Sequence, residues 1–133
     1  MIVDTSAWIE WLRATGSVVD HAVKAALERG DLTTVTGVIR QEVLQGARGE
    51  RQAGELARLL SACASVEPVY PETYEHAADL YQRCRRGGRT VRGTVDCLVA
   101  ALALEHGLPV LAHDRDFRTL AKLCGIRLVA PER

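Results

Sequence analysis

The chain has 133 residues, of which 47% are hydrophobic, and its seventeen basic residues balance seventeen acidic ones. That length allows one domain that buries a core without disulfides or structural metal, and net neutrality excludes a general polyanion binder held by overall charge alone. No apolar run approaches the roughly 20 residues that span a bilayer, and the N-terminus lacks a signal-peptide pattern, so a cytoplasmic location is expected.

The first element is the one to which later segments must be fitted. Met1, Ile2 and Val3 suit a buried strand, and Asp4 follows at its carboxyl end. Thr5 and Ser6 stand where a helix is capped, before Trp8, Ile9 and Leu12 recur at helical spacing. Asp4 is therefore either an N-cap or a ligand at the sheet edge where open α/β folds bind.

A second amphipathic helix on Val19, Val23, Ala26 and Leu27 ends at Gly30, and Leu32 to Val35 reads as a short strand. Thr36 and Gly37 lead into a helix with Val38, Ile39, Glu42, Val43 and Leu44, and another runs from about Gln52 to Cys63. Val66 to Tyr70 reads as a third strand, after which Pro71 opens a long helix through Leu80 and Tyr81. Arg85 to Gly93 is polar and irregular and is expected to be a mobile loop. Thr94 is placed as the cap of a very apolar helix, Val95 to Glu105, followed by a buried strand at Pro109 to Ala112. His113, Asp114, Arg115 and Asp116 come next, then a helix through Phe117, Leu120 and Leu123, and a last strand at Ile126 to Val129. Short apolar strands alternating with helices predict a three-layer α/β/α fold with a parallel sheet of about five strands, forming one domain over residues 1–133.

Most acids, among them Glu10, Glu28, Glu50, Glu55, Glu72, Glu75, Asp79 and Glu132, fall on polar helix faces or at termini. Five do not. Asp4 ends the first strand, Asp114 and Asp116 follow the fourth, Glu42 sits among apolar residues, and Asp96 begins the most hydrophobic helix. Taken singly, Asp96 and Asp114 are explained as helix N-terminal acids. Carboxylates that converge raise one another's pKa unless a cation joins them, and oxygen-only donors suit Mg²⁺ or Mn²⁺. The four histidines lack ligand spacing, and His113, beside the cluster, reads as an outer supporting or packing residue. Cys63, Cys84, Cys97 and Cys124 show no paired spacing and read as small buried hydrophobes. Arg83, Arg85, Arg86, Arg89 and Arg92 form an acid-free basic run next to Asp96, suited to contact with a phosphate backbone.

Four segments in order, IVDTS, IRQEVLQGA, TVDCLVAALALEHG and PVLAHDRDF, make the whole chain resemble the PIN-domain ribonucleases, specifically the VapC-like toxins of toxin-antitoxin pairs. The resemblance implies a Mg²⁺ or Mn²⁺ site at Asp4, Glu42, Asp96 and Asp114, with Asp116 close by and the hydroxyl of Ser6 part of the site. It implies an endoribonuclease that cuts RNA such as tRNA or rRNA to stop translation and growth. It also implies a homodimer, a VapB-like antitoxin that fills the site groove, and higher toxin-antitoxin assembly. Arg86, Arg89 and Arg92 are the candidate RNA-binding residues, and Asp116 or Glu42 the candidate proton acceptor. The amphipathic helices between Val18 and Leu60 are the candidate docking surface. The alternative is a PIN-fold RNA-binding protein or RNA-processing nuclease without an antitoxin. A response-regulator receiver fits less well, because Val66 to Tyr70 leads into Pro71 and the only lysines are Lys24 and Lys122. A haloacid-dehalogenase-like phosphatase would need an acid at position 6, which is Ser.

Overall fold

The computed structural model describes residues 1–31 and 33–129. Leu32, expected to open the second strand, and Glu132 lie outside the described residues. Among the described residues the elements follow in order: β1 (Ile2–Val3), α1 (Thr5–Leu12), α2 (Val18–Arg29), β2 (Thr34–Val35), α3 (Gly37–Gln45), α4 (Gly49–Ser61), β3 (Ala64–Ser65), α5 (Glu72–Arg86), α6 (Thr94–His106), β4 (Val110–Leu111) and α7 (Arg115–Cys124).

The strands form one parallel sheet in the order β3-β2-β1-β4. The chain winds outward from β1 to β3, then returns to the other side of β1. Right-handed crossovers then place α1 to α4 over one face and α5 to α7 over the other. The packing agrees: α1 meets α2 and α3, α3 meets α4, and α5, α6 and α7 meet one another. Reversal beside β1 opens a crevice between the carboxyl ends of β1 and β4. Asp4 and Asp114 lie at those two ends.

The elements that carry the crevice are packed on a continuous core. Ile2, Val3, Trp8, Ile39, Leu80, Leu102, Leu111 and Leu120 are completely buried. Val99 to Leu102 in α6 are buried without a break, so this helix is enclosed on all sides rather than half-exposed. Its alanines let α5 and α7 pack close, and its first turn, carrying Asp96, is fixed at the crevice.

The expected sheet of about five strands has four among the described residues. Ile126 to Val129 runs beside β4 but forms only a single bridge, Leu128 with Val110, because β4 offers two residues before the chain turns toward α7. The third strand lies at Ala64–Ser65 instead of Val66 to Tyr70. Pairing stops where β2 stops: Val66 N–H still donates to Val35 O, and Glu67 then turns to accept the Gly37 amide at 2.7 Å. Val69 and Tyr70, apolar but beyond the sheet, are 62% and 84% exposed.

Smaller boundaries also move. Helix α4 starts at Gly49 rather than near Gln52, and Arg85 and Arg86, expected in a loop, are the last residues of α5. Gly93 rather than Thr94 is the N-cap of α6, and its carbonyl does the work without a side-chain bond. Of the stretch from Val18 to Leu60, only Val18 is among the exposed large hydrophobics; the others described are Val69, Tyr70 and Tyr74. Glu10 is not on an open polar face, since its side chain is 16% exposed and accepts from Thr15. The cysteines are free, with Cys84 and Cys97 buried. Burial pushes the Cys97 and Cys124 thiols up to about 11, so both stay protonated and apolar in behaviour. No helix among the described residues is long and apolar enough to cross a membrane.

Candidate metal centre

Asp4 leaves β1 in extended geometry and caps α1 with its own side chain: Oδ2 accepts from the Ser6 amide at 3.0 Å and the Ser6 hydroxyl at 2.6 Å. Of the residues at the capping position, Asp4 is the N-cap, and neither Thr5 nor Ser6 takes that role. Thr5 points its hydroxyl to Glu42 instead, donating to Oε1 at 2.7 Å across 37 residues of chain. One dipeptide thus holds two acids in place. Ser6 Oγ, having donated to Asp4, accepts the backbone N–H of His113 at 2.9 Å, which ties the end of β1 to the end of β4.

Asp114 repeats the arrangement at α7, where Oδ1 accepts the Asp116 amide at 2.9 Å. The cap and ligand readings of Asp4 and Asp114 are thus compatible, because each cap occupies one carboxylate oxygen and leaves the second. Asp116 is buried and takes the Arg92 amide on Oδ2 at 3.1 Å, with the Arg92 guanidinium 3.6 Å away.

Asp96, Asp114 and Asp116 each bring a carboxylate oxygen within 4.8 Å of the others. Asp4 and Glu42 complete the set electrostatically. Burial first, and then the charges of Asp4, Asp114, Asp116 and Glu42, push the Asp96 carboxyl up to about 7. Asp4 is also raised, mainly by burial, with the Ser6 bonds opposing and Glu42 adding to it. Each of the other four acids receives a hydrogen bond, whereas no donor among the described residues reaches the Asp96 carboxylate. Gly93 leaves room for it: a Cβ there would sit 3.2 Å from Asp96 Oδ2. An underbonded carboxylate among four others, all oxygen donors, suits a hard divalent cation and not zinc.

All five acids predicted from sequence, with Ser6, come together at this crevice. His113 touches it through its backbone, while its exposed imidazole lies 3.5 Å from Glu10. The arginine run divides. Arg83 pairs with Asp79 at 3.0 Å, Arg85 lines a separate, mostly apolar cavity between α5 and α6, and Arg86 ends α5 facing solvent. Arg89 and Arg92 alone approach the acids, lining a cavity of about 600 Å³ with Asp116, Arg115, Arg118 and Lys122. The last three and Thr5 escaped the sequence reading, although Arg115, Arg118 and Lys122 stand at i, i+3 and i+7 on one helix face.

Residues 1–123 match the PIN domain family. Over 128 residues the chain is 35% identical to VapC ribonuclease Mb1587 of Mycobacterium bovis and to ribonuclease VapC11 of Mycobacterium tuberculosis, with 96% of each chain covered. Among solved structures it resembles a chain of a toxin-antitoxin complex from Klebsiella pneumoniae (TM-score 0.71, 19% identity, covering 99% of this chain and 98% of that one). It also resembles a chain of VapBC2 from Rickettsia felis bound to a promoter DNA fragment (TM-score 0.73, 10% identity, 98% of both chains).

Proposed function

The chain belongs to the PIN domain family, and from that footing we propose that it is a divalent-metal-dependent endoribonuclease, the toxin of a toxin-antitoxin pair. The relatives named as VapC ribonucleases support RNA hydrolysis, and the observation that carries the metal requirement is the convergence of Asp4, Glu42, Asp96, Asp114 and Asp116 around an Asp96 carboxyl near 7. These five residues would hold Mg²⁺, with Mn²⁺ able to replace it. Bound there, such a cation supplies positive charge opposite a phosphodiester and makes a water easier to deprotonate.

The protein's own groups do the rest. Ser6 fixes the orientation of Asp4, and Thr5 holds Glu42 by one oxygen, leaving Oε2 to accept a proton from the attacking water. Asp116 is the other acceptor; the Arg92 amide bonds its Oδ2 at 3.1 Å and the Arg92 guanidinium lies 3.6 Å away, which holds the carboxylate in place. Attack in line with the ribose 3′-oxygen leaves a 5′-phosphate on one product and a 3′-hydroxyl on the other.

A VapB-like antitoxin belongs to the same proposal, as does a homodimer, for which light scattering should give twice the chain mass. The test is cleavage of a structured RNA such as tRNA or rRNA with Mg²⁺ or Mn²⁺, and in excess EDTA. Cleavage should need the metal and vanish in Asp4→Asn and Asp96→Asn. Equal cleavage in EDTA would overturn the reading.

A further inference from the structure

The cavity beside Asp116 is strongly basic. Its walls are the α5-α6 connection, giving Arg89 and Arg92, and one face of α7, giving Arg115, Arg118 and Lys122. Arg92 is paired with Asp116 at 3.6 Å; among the described residues no carboxylate lies within ion-pair distance of Arg89, Arg115, Arg118 or Lys122. Four unmatched cations around about 600 Å³, in a chain of zero net charge, lack an internal counterion. Exposed to solvent, they can take up an anionic ligand without giving up an internal partner.

Position decides what that is. Asp116 both lines this cavity and lies within 4.8 Å of Asp96 and Asp114, so the basic cavity opens directly from the acid crevice. A nucleic-acid strand whose scissile phosphate sits at the acids must carry its next phosphates somewhere, and this is the adjoining cationic surface. Planar guanidinium groups pair phosphates through two parallel bonds. No aromatic side chain lines the cavity, so the cations' contact with the phosphate backbone is the main means of holding.

We propose that Arg89, Arg115, Arg118 and Lys122 form a subsite for the phosphates of single-stranded RNA flanking the cleaved bond. The proposal rests on the ribonuclease reading above and adds the path that the substrate takes across α7. It holds the strand without reading sequence, so selectivity has to come from elsewhere on the molecule.

The test uses the 133-residue chain with Asp4→Asn, expected not to cut, and anisotropy of a labelled 12-nucleotide single-stranded RNA over a range of KCl with Mg²⁺ present. Arg118→Ser with Lys122→Ser should reduce the slope of log Kd against log salt by about 1.4, since each lost single-strand phosphate contact removes about 0.7. Affinity at moderate salt should fall on the order of tenfold. Both side chains are exposed, so folding is not at stake; Arg89→Ser with Arg115→Ser should act alike, and Arg51→Ser with Arg58→Ser on α4 should change nothing. Oligo(U) and oligo(A) should respond equally. If the parent binds RNA but neither cavity pair alters the slope, the subsite is refuted while the ribonuclease reading stands. If the wild-type chain neither binds nor cuts RNA, the ribonuclease reading itself falls. A polyglutamate peptide that binds through these cations while the RNA slope stays unchanged would assign the cavity to an acidic protein segment and overturn the proposal.

Discussion

Replacing Asp96 by Asn should make the metal-free protein more stable at pH 8 and blind to the metal. The Asp96 carboxyl stands near 7 in the folded protein against 3.8 in an unperturbed chain, because burial and then four neighbouring acids oppose its charge. Below about pH 4 both folded and unfolded chains keep this proton; between 4 and 7 only the folded chain does; above 7 both have lost it. The metal-free fold therefore loses stability as pH rises from about 4 to about 7. At about 1.4 kcal/mol per pH unit the full gap corresponds to about 4 kcal/mol, and solvent screening at a crevice open to water lowers this to about 1–2 kcal/mol. For a chain of this size that is a rise of about 3–8 °C in Tm for Asp96→Asn over the wild type in EDTA at pH 8, shrinking to nothing near pH 4. Added Mn²⁺ should reverse the order, raising the wild-type Tm in proportion to RT ln(1 + [metal]/Kd) and leaving the variant unmoved. Thermal unfolding by circular dichroism at two pH values, with EDTA and with Mn²⁺, reads all of this. A variant that is less stable at pH 8 in EDTA, or that gains as much from Mn²⁺ as the wild type, would refute the account of the acid cluster.

Three further substitutions probe the supports of the site. Ser6→Ala removes both the 2.6 Å bond to Asp4 and the acceptor for the His113 amide, and should weaken metal dependence of RNA cleavage by about 10–100-fold at a stability cost of about 1–2 kcal/mol; an unchanged metal titration would count against it. Thr5→Val keeps the shape but frees Glu42, and should slow cleavage about tenfold, with Thr5→Ser restoring the rate; a fully active Val variant would remove Glu42 orientation from the mechanism. Gly93→Ala would press a methyl group against Asp96 Oδ2 at 3.2 Å, and should lower metal affinity several-fold without loss of fold, measured by the Mn²⁺ shift in Tm. No change in that shift would mean that Asp96 moves freely.

Much was legible in the chain because it is local. Strand-then-acid at Ile2 to Asp4, the apolar residues of α1 to α7, and the glycine stop at Gly30 each follow from a few neighbouring residues. Asp4, Asp96, Asp114 and Asp116 were distinguishable because they sit where strands end or where an apolar helix begins, and Glu42 because it sits among apolar residues, positions a solvated surface does not require. Strand lengths and edges were not legible, since Val66 to Tyr70 has the composition of a strand but no partner beyond Val35 with which to form one.

What tertiary structure alone decided is which distant groups meet. Thr5 with Glu42, Ser6 with His113 and Arg92 with Asp116 are joined across 37, 107 and 24 residues by the order of strands in the sheet. The same winding divided the arginine run, turning Arg85 and Arg86 away while bringing Arg89 and Arg92 to Arg118 and Lys122 of α7. The sequence by itself determined that acids would gather at the carboxyl end of β1, because buried strands and helix starts are local features; only the fold determined their spacing, their supports and the cationic wall beside them, because those depend on contacts that close large loops of chain.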